Sequence, residues 1–202
     1  MIVEERMRTF INSLDAGNTP FLDELECSAL SEGVPIIRKE MQSFIKTLLA
    51  LKKPQRILEV GTAVGFSTLL MCEYSQPEMH ITTIENYEKR IPKARENFRR
   101  AGCESQITFL EGDAGQILKE LSGAYDLIFM DIQMPKMDGY TATREIRTLN
   151  DHKCANIPII AMTANAFEED RKKAVKAGMN GHIAKPISAD VILENLDQIF
   201  EG

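Results

Sequence analysis

A chain of 202 residues is long enough to bury a substantial core, and its length fits one domain or two small ones. Hydrophobic residues make up 44% and charged residues 27%, the balance of an ordinary globular protein. The net charge of -6, from 24 Lys and Arg against 30 Asp and Glu, leaves no excess of cations for phosphates and argues against a nucleic-acid or anionic-membrane surface.

The first residues, Met1-Ile2-Val3-Glu4-Glu5-Arg6, lack the basic region and apolar run of a signal peptide, and no run reaches the length of a membrane span. The expectation is a soluble, cytoplasmic protein. Phe10, Ile11 and Leu14 suggest one short helical face, and Phe21, Leu22, Leu25 and Leu30 a second. Ile37, Met41, Phe44, Ile45, Leu48 and Leu49 predict a longer helix over Ile36 to Leu51. Lys52-Lys53-Pro54 ends it, because proline disfavours helix in the residue before it.

From Arg56 onward, short apolar runs alternate with amphipathic stretches. The runs are 57–60, 80–84, 107–110, 125–130 and 157–162, with a shorter one at 182–184. Strands alternating with helices at this spacing imply βαβ units and a parallel sheet. Gly102 and Gly178 stand where helices end, Asn165 with Glu168 fits a capping-box variant, and Ser188 can cap a last helix with Val191, Ile192, Leu196, Ile199 and Phe200 on its face. The cations between Lys89 and Arg100 are interspersed with Glu88 and Glu96, as on a solvated helix face. Cys27, Cys72, Cys103 and Cys154 are scattered without a C-x-x-C pair and read as free thiols in a reducing compartment.

The stretch Leu58-Glu59-Val60-Gly61-Thr62-Ala63-Val64-Gly65-Phe66-Ser67 is a strand, a glycine-containing loop and a helix start. Gly61 permits a sharp turn, and Gly65 permits a ligand to approach where a Cβ would obstruct it. The spacing is G-x-x-x-G, not the G-x-G-x-x-G of dinucleotide folds. The next strand ends in Glu85, placed to accept hydrogen bonds from ribose hydroxyls, and the third in Glu111-Gly112-Asp113-Ala114. Three such strand ends in succession form a nucleoside cleft if the strand order is 3-2-1.

These segments, together with Val34-Pro35-Ile36-Ile37 and Tyr125-Asp126-Leu127-Ile128-Phe129-Met130-Asp131, resemble the small bacterial O-methyltransferases of the catechol and caffeoyl-coenzyme A type over residues 1–131. The resemblance implies S-adenosylmethionine as cofactor, with Glu59 and Gly61 near its methionine part, Glu85 on the ribose and Asp113 at the adenine. The alternatives are a strand-end charge with a helix-terminus partner for Glu59 and solvated loop acids for Glu85 and Asp113. In that family Asp131 would be the first ligand of a divalent metal such as Mg²⁺, which needs several oxygen ligands. The family's Asp-Asn pair after the next strand is absent here, where Thr163-Ala164-Asn165 follows, and so is its C-terminal substrate hairpin.

Asp131-Ile132-Gln133-Met134-Pro135-Lys136-Met137-Asp138-Gly139-Tyr140, then residues 158–166 and 177–187, resemble the receivers of response regulators over residues 125–202. That resemblance implies Asp131 as phosphoacceptor, Thr163 as the hydroxyl that senses the phosphoryl group and Lys185 as its cationic clamp, with a cis Lys185–Pro186 bond. Lys185 is equally read as an ion-pair partner of Asp131, His182 as packing at the family's aromatic switch position, and Met134, Met137, Met162 and Met179 as core or loop packing. Receivers take Mg²⁺ on an acidic pair after their first strand, whereas the first strand here ends Val60-Gly61-Thr62.

Joined at the shared strand, the two parts predict one doubly wound, Rossmann-like α/β domain of strand order 3-2-1-4-5-6. It would comprise N-terminal helices in 1–55, a methyltransferase-like half in 56–131 and a receiver-like half in 125–202. Gly61 and Asp131 would then flank one crevice. Three functions stand open: a recombined, engineered scaffold retaining S-adenosylmethionine binding without methyl transfer or phosphorelay, an active O-methyltransferase, and a phosphoacceptor module. The expected partner is a small nucleoside cofactor, not nucleic acid or membrane, with the oligomeric state open.

Overall fold

The alternation of apolar runs and amphipathic stretches is realised as alternating strands and helices. The computed structural model describes residues 17–121, 124–132, 134, 138–148, 156–162 and 168–183. Two helices lead, α1 (Pro20–Ser31) and α2 (Lys39–Lys52). There follow β1 (Arg56–Val60), α3 (Phe66–Tyr74), β2 (His80–Glu85), α4 (Ile91–Ala101), a 3₁₀ turn (Glu104–Gln106) and β3 (Ile107–Glu111). The remainder is α5 (Ala114–Glu120), β4 (Leu127–Asp131), α6 (Gly139–Arg147), β5 (Ile159–Met162), α7 (Glu168–Ala177) and β6 (Gly181–Ile183).

All strand pairs are parallel, in the order β3-β2-β1-β4-β5-β6, the order expected from the sequence. Right-handed crossovers put successive helices on one face while the chain moves from β1 to β3, and on the other once it returns to β4. The core follows that division. Ile57, Ile81, Leu127, Phe129 and Ile160 pack with α1 to α4, whereas Leu58, Val60, Ile84, Ile128, Met130, Ile159 and Ala161 pack with α5 to α7. Strands covered on both faces must be apolar on both, so they read as continuous hydrophobic runs. The direction reverses between β1 and β4, and the carboxyl ends of these two strands form the switch point where such sheets place ligands.

Several ends differ from the sequence expectation. The helix that precedes β1 runs one residue past Leu51 and closes on Lys53, which takes the left-handed conformation (φ 46°) and donates its N–H to Leu49 O at 2.9 Å. Leu30 does not join the face of α1; it is 61% exposed, and Ala29 is buried along with Leu22 and Leu25. β4 begins at Leu127 rather than Tyr125, because the Asp126 carboxylate takes the N–H groups of Gln55 and Arg56 at 2.8 Å each and fastens the strand's entry to β1. Gly102 and Gly178 end α4 and α7 at φ 67° and 96°, as expected. Phe10, Ile11, Leu14, Asn165 and the last helix with Ser188 lie outside the described residues. Among the described residues no helix is long and apolar enough to cross a membrane.

Candidate functional site

The loop between β1 and α3 turns by placing three residues at positive φ: Gly61 at 105°, Ala63 at 50° and Gly65 at 85°. The N–H groups of Gly61 and Thr62 both point at Ile84 O, 3.0 and 3.2 Å away, which ties the loop to β2. The two glycines have distinct reasons. A Cβ on Gly61 would stand 2.7 Å from Asp131 Cβ, so the ends of β1 and β4 approach closely there. A Cβ on Gly65 would stand 2.5 Å from Cε1 of Phe98. That glycine therefore admits the Phe98 ring from α4, where the sequence reading had a ligand approach.

Glu85 ends β2 as expected, with 8% exposure. Its Oε2 accepts from Ala63 N at 2.7 Å, and its Oε1 from Asn86 N and Tyr87 N at 2.9 Å each. The first of these bonds holds Ala63 in its left-handed conformation. A carboxylate offers about four acceptor positions, so roughly one remains on Oε2 for a ribose hydroxyl. Asp113 caps α5, accepting from Gln116 N at 3.2 Å through Oδ1, at the carboxyl end of β3.

Glu59 is fully buried on the face covered by α3. It accepts from the hydroxyls of Ser67 and Thr68 at 2.5 Å each, in the first turn of that helix, and from Thr83 of β2 at 2.6 Å. The strand-end charge with a helix-terminus partner describes this arrangement. Burial pushes its carboxyl above the ordinary range, against the three hydroxyls, and the neighbouring Glu85 adds to the rise. Glu59 thus sets the loop from behind rather than facing outward.

Asp131, half-buried, ends β4 against Gly61. Among the described residues no three His, Cys, Asp or Glu side chains gather around it or elsewhere in metal-binding fashion. Thr163 and Lys185 lie outside the described residues, as does Met137; His182 falls within β6, with Met134 near the end of β4. Met162 and Met179 are buried in the core, and Met134 packs against it, as the packing reading has it.

Two anchoring residues escaped the sequence reading. Asn97, 1% exposed, donates through Nδ2 to Val64 O at 2.8 Å and holds the glycine loop from α4. Its position between Ala94 and Ala101 on the apolar face of α4 was the available signal, a polar residue at helical spacing inside a buried stripe. Arg147, at the end of α6, donates to Gly178 O at 2.8 Å, Ile157 O at 2.9 Å and Asn180 Oδ1 at 2.7 Å, and burial holds its guanidinium below the ordinary range. It clasps the turns on either side of β5 and α7.

Known proteins resemble the chain in two ways. In sequence, it is 47% identical over 78 residues to Probable histidine kinase 2 of Oryza sativa subsp. indica, covering 39% of the chain and 7% of that protein. It is 41% identical over 90 residues to Sensor histidine kinase CheAY of Helicobacter pylori, covering 43% of the chain and 11% of that protein. The chain thus spans a small fraction of the kinases it matches. In structure, it resembles the SAH-bound methyltransferase PaMTH1 of Podospora anserina, with a TM-score of 0.65 at 21% identity, covering 100% of this chain and 86% of that one. The O-methyltransferase TomG of Streptomyces achromogenes, solved in complex with SAM, follows with a TM-score of 0.56 at 18% identity, over 100% and 86% of the two chains. A candidate caffeoyl-CoA O-methyltransferase from Staphylococcus aureus matches at 25% identity and a TM-score of 0.58, over 70% and 65%. The fold is that of the methyltransferases. The family model described as "Response regulator receiver domain" matches residues 81–197, from β2 through the back of the chain, which is more than half of its length, and the chain belongs to that family.

Proposed function

We propose that the chain is a recombined α/β scaffold that binds S-adenosylmethionine and performs neither methyl transfer nor phosphorelay. In this reading a methyltransferase-like half, residues 1–131, is joined to a receiver-like half, 125–202, through the strand both parents share. A join inside one strand, with no linker, is the feature that supports reading the chain as engineered. The observation that carries the binding claim is the loop at residues 61–65, latched by Glu85 at the carboxyl edge of a sheet whose fold is that of SAM- and SAH-bound enzymes. The residual acceptor position on Glu85 suits one ribose hydroxyl, and Asp113 stands at the next strand end. The cofactor, when bound, would supply the activated methyl group.

Loss of turnover is supported by the sequence after the fifth strand. Methyl transfer depends on aligning the nucleophile with the methyl group, and where the methyltransferase family has an Asp-Asn pair to complete the metal site this chain has Thr163-Ala164-Asn165. Phosphorelay meets a topological obstacle. The receiver match begins in β2, whose end carries Glu85-Asn86, but β1 intervenes between β2 and β4. Two strand spacings, roughly 9–10 Å, then separate the end of β2 from Asp131, and the Glu85 carboxylate is already held by three N–H groups.

Titration calorimetry with S-adenosylmethionine and its demethylated product tests the reading. The expected result is saturable binding of both without methyl release to a catechol. No binding by a protein whose circular dichroism is intact overturns it. Family membership favours a second reading, a phosphoacceptor at Asp131. Beryllofluoride or acetyl phosphate with Mg²⁺ addresses that reading, and a response lost in Asp131→Asn would establish it over the first.

A further inference from the structure

The hydroxyls around Glu59 form a chain that reaches the glycine loop. Glu59 Oε1 accepts from Ser67 Oγ at 2.5 Å, and Oε2 accepts from Thr68 Oγ1 at 2.5 Å and from Thr83 Oγ1 at 2.6 Å. Thr83 has a second hydroxyl partner. Its Oγ1 lies 2.6 Å from Oγ1 of Thr62, in the loop, and either of the two can donate to the other. Thr62 and Thr83 are both buried, so the chain is shielded from solvent. The elements packed on Glu59 bring no cation to it. β2 presents Thr83 opposite and Glu85 two residues on, β4 presents Phe129, and α3 presents Ser67, Thr68 and the Cys72 thiol, which feels the Glu59 charge. Among the described residues, no Lys, Arg or His is paired with Glu59.

A carboxyl so placed has two complete hydrogen-bond arrangements. As a carboxylate it accepts from all three hydroxyls, and Thr62 donates to Thr83. As an acid it donates to Thr83, which turns and donates to Thr62, so the reversal ends in the loop. We propose that Glu59, Thr83 and Thr62 form a proton-linked relay that matches the charge beneath the loop to that of the ligand: Glu59 gives up its proton when the ligand carries a sulfonium and keeps it when the ligand sulfur is neutral. This inference rests on the S-adenosylmethionine reading above. The O–H bond of the Glu59 carboxyl breaks, the two threonine hydroxyls turn back toward the carboxylate, and buffer takes up the proton. Burial holds the carboxyl above its ordinary range, and a positive charge nearby works against that rise. Release is therefore confined to pH values between those of the group with and without the cation. It vanishes above the ligand-free value, where Glu59 is already ionised.

The test is titration calorimetry of the full chain in buffers of low and high ionisation enthalpy, which counts the protons exchanged on binding. The pH runs from about 5 to about 7, below the range in which the ligand's own amino group titrates. The expected result is release of up to about one proton with S-adenosylmethionine and none with its demethylated product. Glu59→Gln, which keeps the uncharged form, should abolish the release and lower the ratio of the two affinities about tenfold in favour of the product. Thr62→Val leaves the three donors of Glu59 in place and takes from Thr83 the partner it needs when Glu59 is an acid. The release should shrink in this variant, which carries the test should Glu59→Gln not fold. Equal release with both compounds, release with neither, or release unchanged in Thr62→Val overturns the relay and leaves the proposed binding standing. No binding of either compound overturns both.

Discussion

In the front of the sheet, carboxylates at strand ends hold the chain's own loop; in the back, the corresponding holding is done by a cation. Glu59 and Glu85 take six donors between them, from the loop, the helix that follows it, β2 and the two residues after β2. Around β5 the same service falls to Arg147, which takes two backbone carbonyls and an Asn amide oxygen. The difference follows from the groups each region leaves over: in front, the hydroxyls of Ser67, Thr68 and Thr83 and the N–H groups of Ala63, Asn86 and Tyr87 call for an acceptor, and in the back the carbonyls of Ile157 and Gly178 call for a donor. Acids that family resemblance assigns to a ligand are thus first of all latches, and a cofactor would join an arrangement already made.

The seam between the two regions carries the largest expected effect. Gly61→Ala puts a Cβ against Asp131 Cβ at a φ of 105° and should cost about 3 kcal/mol or more in urea unfolding. Gly17→Ala, also at positive φ but with nothing within 4 Å, should cost about 1 kcal/mol. Equal losses would mean that the ends of β1 and β4 do not touch.

Removing the front latch comes next. Glu59→Ala strands three hydroxyls in the core and should cost about 3 kcal/mol. Its pH dependence has a definite sign. A carboxyl whose folded-state value is raised binds its proton more tightly in the native state, so its contribution is full below the ordinary carboxyl range and declines as the pH rises through the folded value. The deficit of Glu59→Gln relative to the parent should therefore shrink between about pH 4 and pH 8; a deficit that grows would assign the group a lowered value.

Arg147→Met in the back should cost about 2 kcal/mol, because it leaves the carbonyls of Gly178 and Ile157 without their cation. Hydrogen exchange should speed up first in β5 and β6, with the glycine loop unaffected, if the two regions are held separately. The smallest effect belongs to Arg99→Ala on the outer face of α4. Its bridge to Glu96 joins side chains 64% and 51% exposed, and denaturation should move by roughly 0.5 kcal/mol or less.

The architecture was legible because it rests on local patterns. Runs such as Leu127–Met130 and Ile159–Met162 are apolar on both faces, as strands of a parallel sheet covered on both sides must be. The resemblance to the two families then implies the order β3-β2-β1-β4-β5-β6, which right-handed crossovers permit. The resemblance to two families was legible too, since each rests on contiguous motifs. What sequence could not supply was the target of each polar group. Glu59 and Glu85 look alike as strand-end acids, yet one is buried under α3 and the other latches Ala63. Gly65 reads as an opening for a ligand and turns out to make room for Phe98. Those pairings depend on which side chains the crossovers bring together across the sheet, and such long-range contacts leave no local periodicity. The sequence by itself determined the elements, their order and the acids at the strand ends, through hydrophobic period and turn chemistry. The tertiary structure alone decided the close contacts within that order, which set Gly61 against Asp131 and Gly65 against Phe98 and give an oxygen of Glu85 to the N–H of Ala63.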